Sequence, residues 1–198
     1  MIVFRNSLQE EPYQIFKEKF ILAKKSGQSN ADAVSISSYN KYNNEVDSRF
    51  VNLKLVDGKE FIFFSNYGSP KSIAFESHNQ ISALFFWPLV NIQIRIKAHI
   101  SKTAINFNNS YFAQRSLEKN ALAISSNQSK PINSFIQIKK KFKKTFENDD
   151  LTTCPEYWGG FSFIPYEIEF WEGNEFRLNK RNLYRKDNTT WTHFILEP

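Results

Sequence analysis

Residues 48–66, SRFVNLKLVDGKEFIFFSN, decide the fold class of this chain. Apolar and aromatic residues form two strand-like runs on either side of Asp57-Gly58, a dipeptide typical of tight turns between antiparallel strands. The segment therefore predicts a β-hairpin. The residues that follow, YGSPK, predict that the second strand ends in a turn where Ser69 caps a helix starting at Pro70.

Strand patterns outnumber helical patterns along the rest of the chain. Further strands are predicted in residues 33–39, 80–87, 91–103, 159–187 and 191–198, about seven in all with the hairpin. Helices are predicted in residues 11–27, 71–78, 105–125 (one helix or two short ones) and 131–148. Antiparallel hairpins dominate and no alternating βαβ pattern occurs. We therefore expect a mainly β, antiparallel barrel with flanking helices (α+β), in a single domain covering residues 1–198.

The composition indicates a folded protein of the cytosol. Aromatic residues make up 16% of the 198 residues, and the formal net charge of +6 suits a phosphorylated small molecule or a nucleic acid. Cys154 is the only cysteine, so no intrachain disulfide can form. The chain shows no secretory leader and no apolar run near the ~20 residues that cross a bilayer. We expect a cytoplasmic protein without a membrane partner.

Common catalytic and nucleic-acid signatures are missing. His78, His99 and His193 are scattered, so no metal site is expected, and Cys154 is interpreted as an unreactive thiol. The run KKKFKK, residues 139–144, lies in a predicted helix whose Phe135, Ile138, Phe142 and Phe146 form one stripe. We expect this stripe to face the core and the lysines to face solvent, without a nucleic-acid partner.

Cations and hydroxyls that could bind anions occur in four places. These are Arg49 with Lys54, Ser65 and Ser69 with Lys71, Tyr111 with Arg115, and Trp171 with Arg177 and Arg181. Positions 49 and 54 point to opposite faces of an ideal strand, which fits two separate anions or one anion and one surface charge. Tyr111 and Arg115 share a helix face, and an indole with two guanidiniums can flank a planar anionic ligand.

The stretches that carry these residues, in their order, resemble the pyridoxine/pyridoxamine 5′-phosphate oxidase family. They are RFVNLK, FFSNYGSPK, NIQIRIKA, SYFAQR, NQS, YWGGF, IEFWEGNEFRLNKR and the terminal LEP, spread over about residues 12–198. The resemblance implies an FMN-binding split β-barrel that forms a homodimer with FMN at the interface. It also implies oxidation of pyridoxamine or pyridoxine 5′-phosphate to pyridoxal 5′-phosphate, with O2 as acceptor and H2O2 as product.

The resemblance also implies site residues. FMN-binding residues would be Arg49, Lys54, Phe64, Ser65, Lys71, Gln93, Gln128, Ser129, Trp171 and Arg181, with Lys71 near the phosphate and Gln93 near the flavin ring. The substrate would contact Lys54, Tyr111, Arg115, Lys119, Arg177 and Asn179, with Arg177 as the catalytic residue over the pyridine ring.

Several positions depart from the family pattern. Pro70 stands where the family commonly has Arg, Lys119 where it has Ser, and Asn179 where it has His, and the family's N-terminal segment is shortened or absent. Two alternatives therefore stay open: an FMN-dependent oxidase of another planar substrate, of the phenazine-pathway type, or a non-catalytic flavin- or pyridoxal-phosphate-binding protein.

Overall fold

The computed structural model describes residues 1–198 and is organised around one sheet of ten strands. The strands are β1 (Val3–Arg5), β2 (Ala33–Asn40), β3 (Glu45–Asn52), β4 (Leu55–Asp57), β5 (Glu60–Asn66), β6 (Gln80–Trp87), β7 (Ile92–Lys102), β8 (Trp158–Glu172), β9 (Lys180–Asp187) and β10 (Thr190–Ile195). Their order is β1-β4-β5-β8-β7-β6-β2-β3, with β9 on β8 and β10 on β9. Every pairing is antiparallel except β1 with β4, which confirms the expected mainly β fold.

The predicted hairpin is present, but its first strand is interrupted. Asp57 pairs with Glu60 across the turn, and Gly58 has a φ of +54°, in the left-handed region that favours glycine. The expectation of one continuous strand before the turn is wrong. β3 pairs with β2, whereas β4 pairs with β1 and β5. The strand is therefore broken at residues 53–54, where its pairing partner changes. The buried side chain of Leu53 marks this change.

Five helices flank the sheet. They are α1 (Glu11–Lys25), α2 (Pro70–Ser77), α3 (Ile105–Ala113), α4 (Leu117–Ser125) and α5 (Phe135–Asn148). The pattern of residues 105–125 thus resolves into two short helices, one of the two outcomes that the sequence allowed. None of the helices combines the length and apolarity that a bilayer-spanning helix requires.

Aromatic side chains of α1 and the sheet form the centre of the core. Phe16 is fully buried, and its ring centroid lies 5.0 Å from that of Phe61 on β5 and 5.3 Å from that of Phe85 on β6. Trp87 closes this cluster, and its indole Nε1 donates a hydrogen bond to the carbonyl oxygen of Ala31 at 3.0 Å. Burial of these rings fixes α1 across the strands that lead to the turn at Ser69.

The expectation that the apolar stripe of α5 faces the core is wrong. Phe135 is 68% exposed and Phe146 is 40% exposed, while only Thr145 of this helix is buried. α5 packs mainly against α4, itself at the edge of the fold, so most of its circumference meets solvent. Periodicity identified the helix correctly but could not show what its apolar side contacts.

We predict that Phe16→Ala lowers the free energy of unfolding by about 3–5 kcal/mol, because it leaves a cavity among packed rings. Urea unfolding followed by tryptophan fluorescence would measure this. Leu22→Ala on the same helix is the matched control, since Leu22 is 48% exposed and its truncation should cost less than about 1 kcal/mol. Equal losses in the two variants would contradict the central place given to Phe16.

Candidate functional site

A cavity of about 710 Å³ lies where β1, β4 and β5 meet α3 and the start of α4. Eight of the site residues predicted from the sequence line it: Lys54, Phe64, Ser65, Lys71, Tyr111, Arg115, Lys119 and Gln128. Five of the lining side chains are cationic (Arg5, Lys54, Lys71, Arg115 and Lys119), and none is a carboxylate. Such a lining favours anions, because the positive charges outnumber the nearby carboxylates.

The turn between β5 and α2 supplies the most buried of these cations. The Nζ atom of Lys71 donates hydrogen bonds to Ser65 Oγ and Ser69 Oγ, both at 3.2 Å, and no carboxylate forms an ion pair with it. The Oε1 atom of Gln128 accepts from Ser65 Oγ and from the backbone N–H of Asn66, both at 3.3 Å. Ser69 occupies the cap position of α2, as predicted, but its side chain does not cap the backbone.

Lys71 is held in an unfavourable electrostatic environment. Burial, and next the nearby charge of Arg49, lowers the pKa of Lys71 to about 8, against an opposing effect of Asp47. Arg49 itself lies outside the cavity lining. Its guanidinium donates to Ser38 Oγ at 2.8 Å and pairs with Asp47 at 2.6 Å. A bound anion would relieve the strain on this lysine by supplying the missing counter-charge.

Stacked aromatic rings form one wall of the cavity. The ring of Phe64 lies parallel to that of Tyr111, with centroids 3.7 Å apart, and to that of Trp158 at 5.2 Å. The guanidinium of Arg115 lies 4.3 Å from the Trp158 ring centroid. Its Nη2 atom donates to the backbone carbonyl of Lys119 at 3.2 Å, whereas its buried Nη1 atom has no partner. Arg115 therefore has donors left for a ligand.

Lys54 and Tyr111 also line the cavity. The Nζ atom of Lys54 lies 3.3 Å from Asp32 Oδ2, so its charge is shared with a carboxylate behind the cavity lining. Burial raises the pKa of Tyr111, although the charges of Arg115 and Arg5 oppose the shift. The phenol therefore stays protonated at neutral pH and can donate a hydrogen bond to an anion.

A second group of predicted site residues lies elsewhere on the chain. Gln93 on β7 pairs with Trp171 on β8, which pairs with Arg181 on β9, so the three form a row across the sheet. Arg181 contacts Glu169 Oε1 through both Nε and Nη2 at 2.9 Å. None of these residues lines the large cavity. The predicted site is thus divided into two groups within one chain.

The remaining predicted residues also lie outside the large cavity. Arg177 is exposed in a 3₁₀ turn, Glu175–Arg177, and has a φ of +61°. Asn179 follows it, and its Oδ1 atom accepts from the backbone N–H of Asn174 at 3.3 Å. Ser129 is exposed, with a φ of +66°, next to Gln128. Arg177 and Asn179 thus belong with the second group, close to Arg181 in sequence.

Sequence reasoning missed ten of the 18 lining residues, among them Trp158 and Arg5. Trp158 lies within YWGGF, which carried part of the resemblance. Its place in the aromatic wall of the cavity follows only from the pairing of β5 with β8, which brings the start of β8 beside Phe64. Arg5 lies on the three-residue strand β1, whose parallel pairing with β4 brings it to the cavity. So short a strand has no detectable alternation, so the sequence carried no signal for it.

Comparisons with known proteins agree with this geometry. Residues 158–198, which contain β8 to β10, match the family model described as the pyridoxine 5′-phosphate oxidase C-terminal dimerisation region. The pyridoxine/pyridoxamine 5′-phosphate oxidase of Colwellia psychrerythraea is 35% identical over 190 residues, which span 94% of this chain and 87% of that protein.

Solved structures share the fold. PhzG from Burkholderia lata, determined with tetrahydrophenazine-1-carboxylic acid, superposes with a TM-score of 0.90 at 21% identity, covering 96% of this chain and 93% of that one. A pyridoxamine 5′-phosphate oxidase-related, FMN-binding protein from Nostoc punctiforme gives a TM-score of 0.80 at 12% identity, covering 96% and 99%. At these identities the likeness establishes the split-barrel fold.

We predict that binding of a phosphate monoester at Lys71 weakens as pH rises through about 8, where the ligand-free lysine loses its proton. The monoester stays a dianion above pH 7, so the lysine alone changes charge. Titrating the protein with FMN and with riboflavin, which lacks the phosphate, from pH 7 to pH 9.5 would measure this. Only FMN affinity should fall across pH 8, and Lys71→Met should remove most of that fall.

The exposed Lys59→Met is the matched control and should leave the pH profile of FMN affinity unchanged. A parallel decline in riboflavin and FMN affinity would contradict the assignment of the phosphate to Lys71.

The same pKa shift of Lys71 also sets the sign of a stability effect. Between about pH 8 and the ordinary lysine value of 10.5, the unfolded chain keeps a proton that folded Lys71 has lost. The ligand-free protein should therefore gain stability with rising pH in this window, and Lys71→Met should reduce that gain.

Proposed function

Because the chain belongs to the pyridoxine/pyridoxamine 5′-phosphate oxidase family, we propose that it is an FMN-dependent oxidase of phosphorylated B6 vitamers. It would convert pyridoxamine or pyridoxine 5′-phosphate to pyridoxal 5′-phosphate, using O2 and releasing H2O2, as a single-domain cytoplasmic enzyme of vitamin B6 metabolism. With pyridoxamine 5′-phosphate the reaction also takes up water and releases ammonia. One observation carries the proposal. The large cavity has five cations and no carboxylate in its lining.

The residues around Lys71 fit the phosphate of FMN. The ammonium group is buried and its only partners are two hydroxyls, so a dianion would satisfy a charge that the chain leaves uncompensated. Ser65 and Gln128 would complete this subsite, with Ser129 beside them and Phe64 in backbone contact. Arg49, behind the lining, would add positive potential without touching the ligand.

A second set of lining residues suits the substrate phosphate. Tyr111, Arg115, Lys54 and Lys119 all line the cavity, and the Nη1 atom of Arg115 has no hydrogen-bond partner within the chain. A guanidinium and a phenol on one helix face make charge-assisted hydrogen bonds to a phosphate. Lys119 would contribute a further charge where the family has a hydroxyl.

The second group of residues supports a homodimer. Gln93, Trp171 and Arg181 do not line the large cavity of their own chain, but they could complete the cavity of a partner chain. Trp171, Arg177 and Arg181 all lie within the segment that matches a dimerisation region. FMN would then lie at the interface, with its phosphate on one subunit and its ring against the other.

When bound, FMN supplies the redox chemistry, accepting a hydride equivalent from C4′ of the vitamer and passing the electrons to O2. The residues of this chain would bind two phosphates and hold the two planar rings face to face. Arg177 would hold the pyridine ring near the reacting carbon. Asn179 can donate a hydrogen bond to the substrate but cannot carry the charge of a histidine.

A second candidate is an FMN-dependent oxidase of another planar substrate. Asn179 and Lys119 favour it, because both change the side chains expected around the substrate. The similarity of the fold to a protein solved with a phenazine carboxylic acid is compatible with it. A non-catalytic protein that binds flavin or pyridoxal phosphate is a third candidate, and it differs from the first two in having no turnover.

We predict that the purified protein binds FMN and oxidises pyridoxamine 5′-phosphate, with release of H2O2 and pyridoxal 5′-phosphate. Arg115→Ala should raise KM for the vitamer at least tenfold and change FMN affinity less than about twofold, because the proposal assigns its guanidinium to the substrate phosphate. Peroxide and aldehyde formation measure the first quantity, and flavin fluorescence measures the second.

The outcomes separate the three candidates. Turnover that appears only in the double variant Lys119→Ser/Asn179→His would favour another planar substrate, and bound FMN with no turnover in either protein would favour a binding protein. Equal losses of vitamer and FMN affinity in Arg115→Ala would contradict separate phosphate subsites. A protein that binds no FMN would refute the proposal.

We predict complementation between variants of the two groups. Lys71→Met and Trp171→Ala should each weaken FMN binding enough that their sites stay empty at an FMN concentration that fills the unmodified protein. At that concentration, a mixture allowed to exchange subunits should regain about a quarter of the sites, since half the dimers are mixed and each has one intact site. Equilibrium dialysis would measure this. A mixture of Lys71→Met with Ser65→Ala is the matched control, because both changes damage the same group, and it should regain none. No recovery in the first mixture would rule out a shared site.

A further inference from the structure

We infer that Asn108 is a positioning residue, which, with Tyr67 and Thr103, fixes helix α3 on strand β8 and thereby sets where the two anion subsites lie relative to each other. The inference rests on the proposed function, since it concerns how Tyr111 and Arg115 are placed for a substrate phosphate. No step of the proposed function uses Asn108.

Asn108 lies at the centre of a buried hydrogen-bond network. The side chain is 3% exposed, and its Oδ1 atom accepts from the backbone N–H of Gly160 at 2.9 Å and from Thr103 Oγ1 at 2.5 Å. Its Nδ2 atom donates to Tyr67 Oη at 3.0 Å, and Tyr67 Oη donates to the carbonyl oxygen of Gly160, also at 3.0 Å. Three segments distant in sequence are thus joined at one residue of β8, Gly160.

The network leaves no space for side chains on β8 at this point. A Cβ atom on Gly159 would overlap Tyr67 Oη and lie 2.5 Å from Asn108 Nδ2, and one on Gly160 would lie 2.5 Å from Thr103 Oγ1. Burial raises the pKa of Tyr67, so its hydroxyl keeps the proton that it donates. The paired glycines and the polar network therefore depend on each other.

The network connects the elements that carry the two proposed subsites. Tyr67 lies in the turn between Ser65 and Lys71, which forms the proposed FMN phosphate subsite. Asn108 lies on α3 one turn before Tyr111 and Phe112, and the Phe112 ring contacts Trp158 edge-on at 5.0 Å. A shift of Asn108 would therefore move the proposed substrate subsite relative to the turn.

Directional bonds are needed because the other contacts of α3 are permissive. Tyr111 rests on Phe64 with rings 10° from parallel, an arrangement in which one ring can slide over the other at small cost. The hydrogen bonds of Asn108 fix the position of α3 along β8, which the stacking of Tyr111 on Phe64 does not determine. The turn, by contrast, keeps its own bonds from Lys71 to Ser65 and Ser69. Loss of Asn108 should therefore weaken the substrate subsite more than the FMN subsite.

The test compares Asn108→Ala and Tyr67→Phe with Asn109→Ala, an exposed asparagine on the same helix. In the FMN-loaded protein, the Kd of pyridoxal 5′-phosphate is measured by flavin fluorescence, which requires no turnover, and the Kd of FMN is measured separately. Hydrogen exchange at the Gly160 amide reports directly on the bond to Asn108. Asn108→Ala should raise the Kd of pyridoxal 5′-phosphate about tenfold and that of FMN less than about twofold, and it should speed exchange at Gly160.

The double variant Tyr67→Phe/Asn108→Ala should be no weaker than Asn108→Ala alone, because both changes break one network. Asn109→Ala should resemble the unmodified protein in all three measurements. Equal losses of both ligands, unchanged affinity for both, or additive effects in the double variant would overturn the inference. If the unmodified protein bound no FMN, the proposed function would fail, and with it the two-subsite premise. Gly160 exchange would still show separately whether the network exists.

Discussion

The buried ammonium group of Lys71 is the constraint on which the site depends. Taking a charge out of water is costly unless another charge or several dipoles replace the solvent, and here only two hydroxyls do so. The end of β5, the start of α2 and the segment holding Gln128 converge to provide these dipoles. Under the proposed function, a bound anion would offset the cost of keeping this ammonium group buried.

Local signals allowed much of this fold to be predicted from the sequence. Asp57-Gly58 identified the hairpin, Ser69-Pro70 identified the start of α2, and the spacing of Phe16 and Phe20 identified the buried face of α1. The failures concern long-range contacts. The strand is interrupted at residues 53–54 because its first part pairs with β2 and its second part pairs with β5. The exposure of α5 depends on its packing, which is mainly against α4. Neither is encoded in periodicity.

The site was predictable to a similar extent and for a related reason. The resemblance named Ser65, Lys71 and Arg115 as candidate site residues, and the structure brings all three to one cavity. The resemblance did not reveal that Gln93, Trp171 and Arg181 form a separate row. The order of site residues along the sequence does not show which of them share a cavity. The separation of the cavity residues from the row on β7, β8 and β9 is therefore visible only in the structure. Trp158 was missed because its role follows from the pairing of β5 with β8.

The length of β8 has a consequence for how the protein works in the cell. Trp158 stands beside one group of site residues and Trp171 belongs to the other, and the 13 residues between these positions correspond to about 40 Å along an extended strand. Under the proposed function, no single chain can fold both groups around one flavin. An isolated subunit would be catalytically silent, and activity would follow the law of mass action for self-association. Cellular output would then rise more steeply than protein abundance whenever the subunit concentration is below the dissociation constant of the dimer.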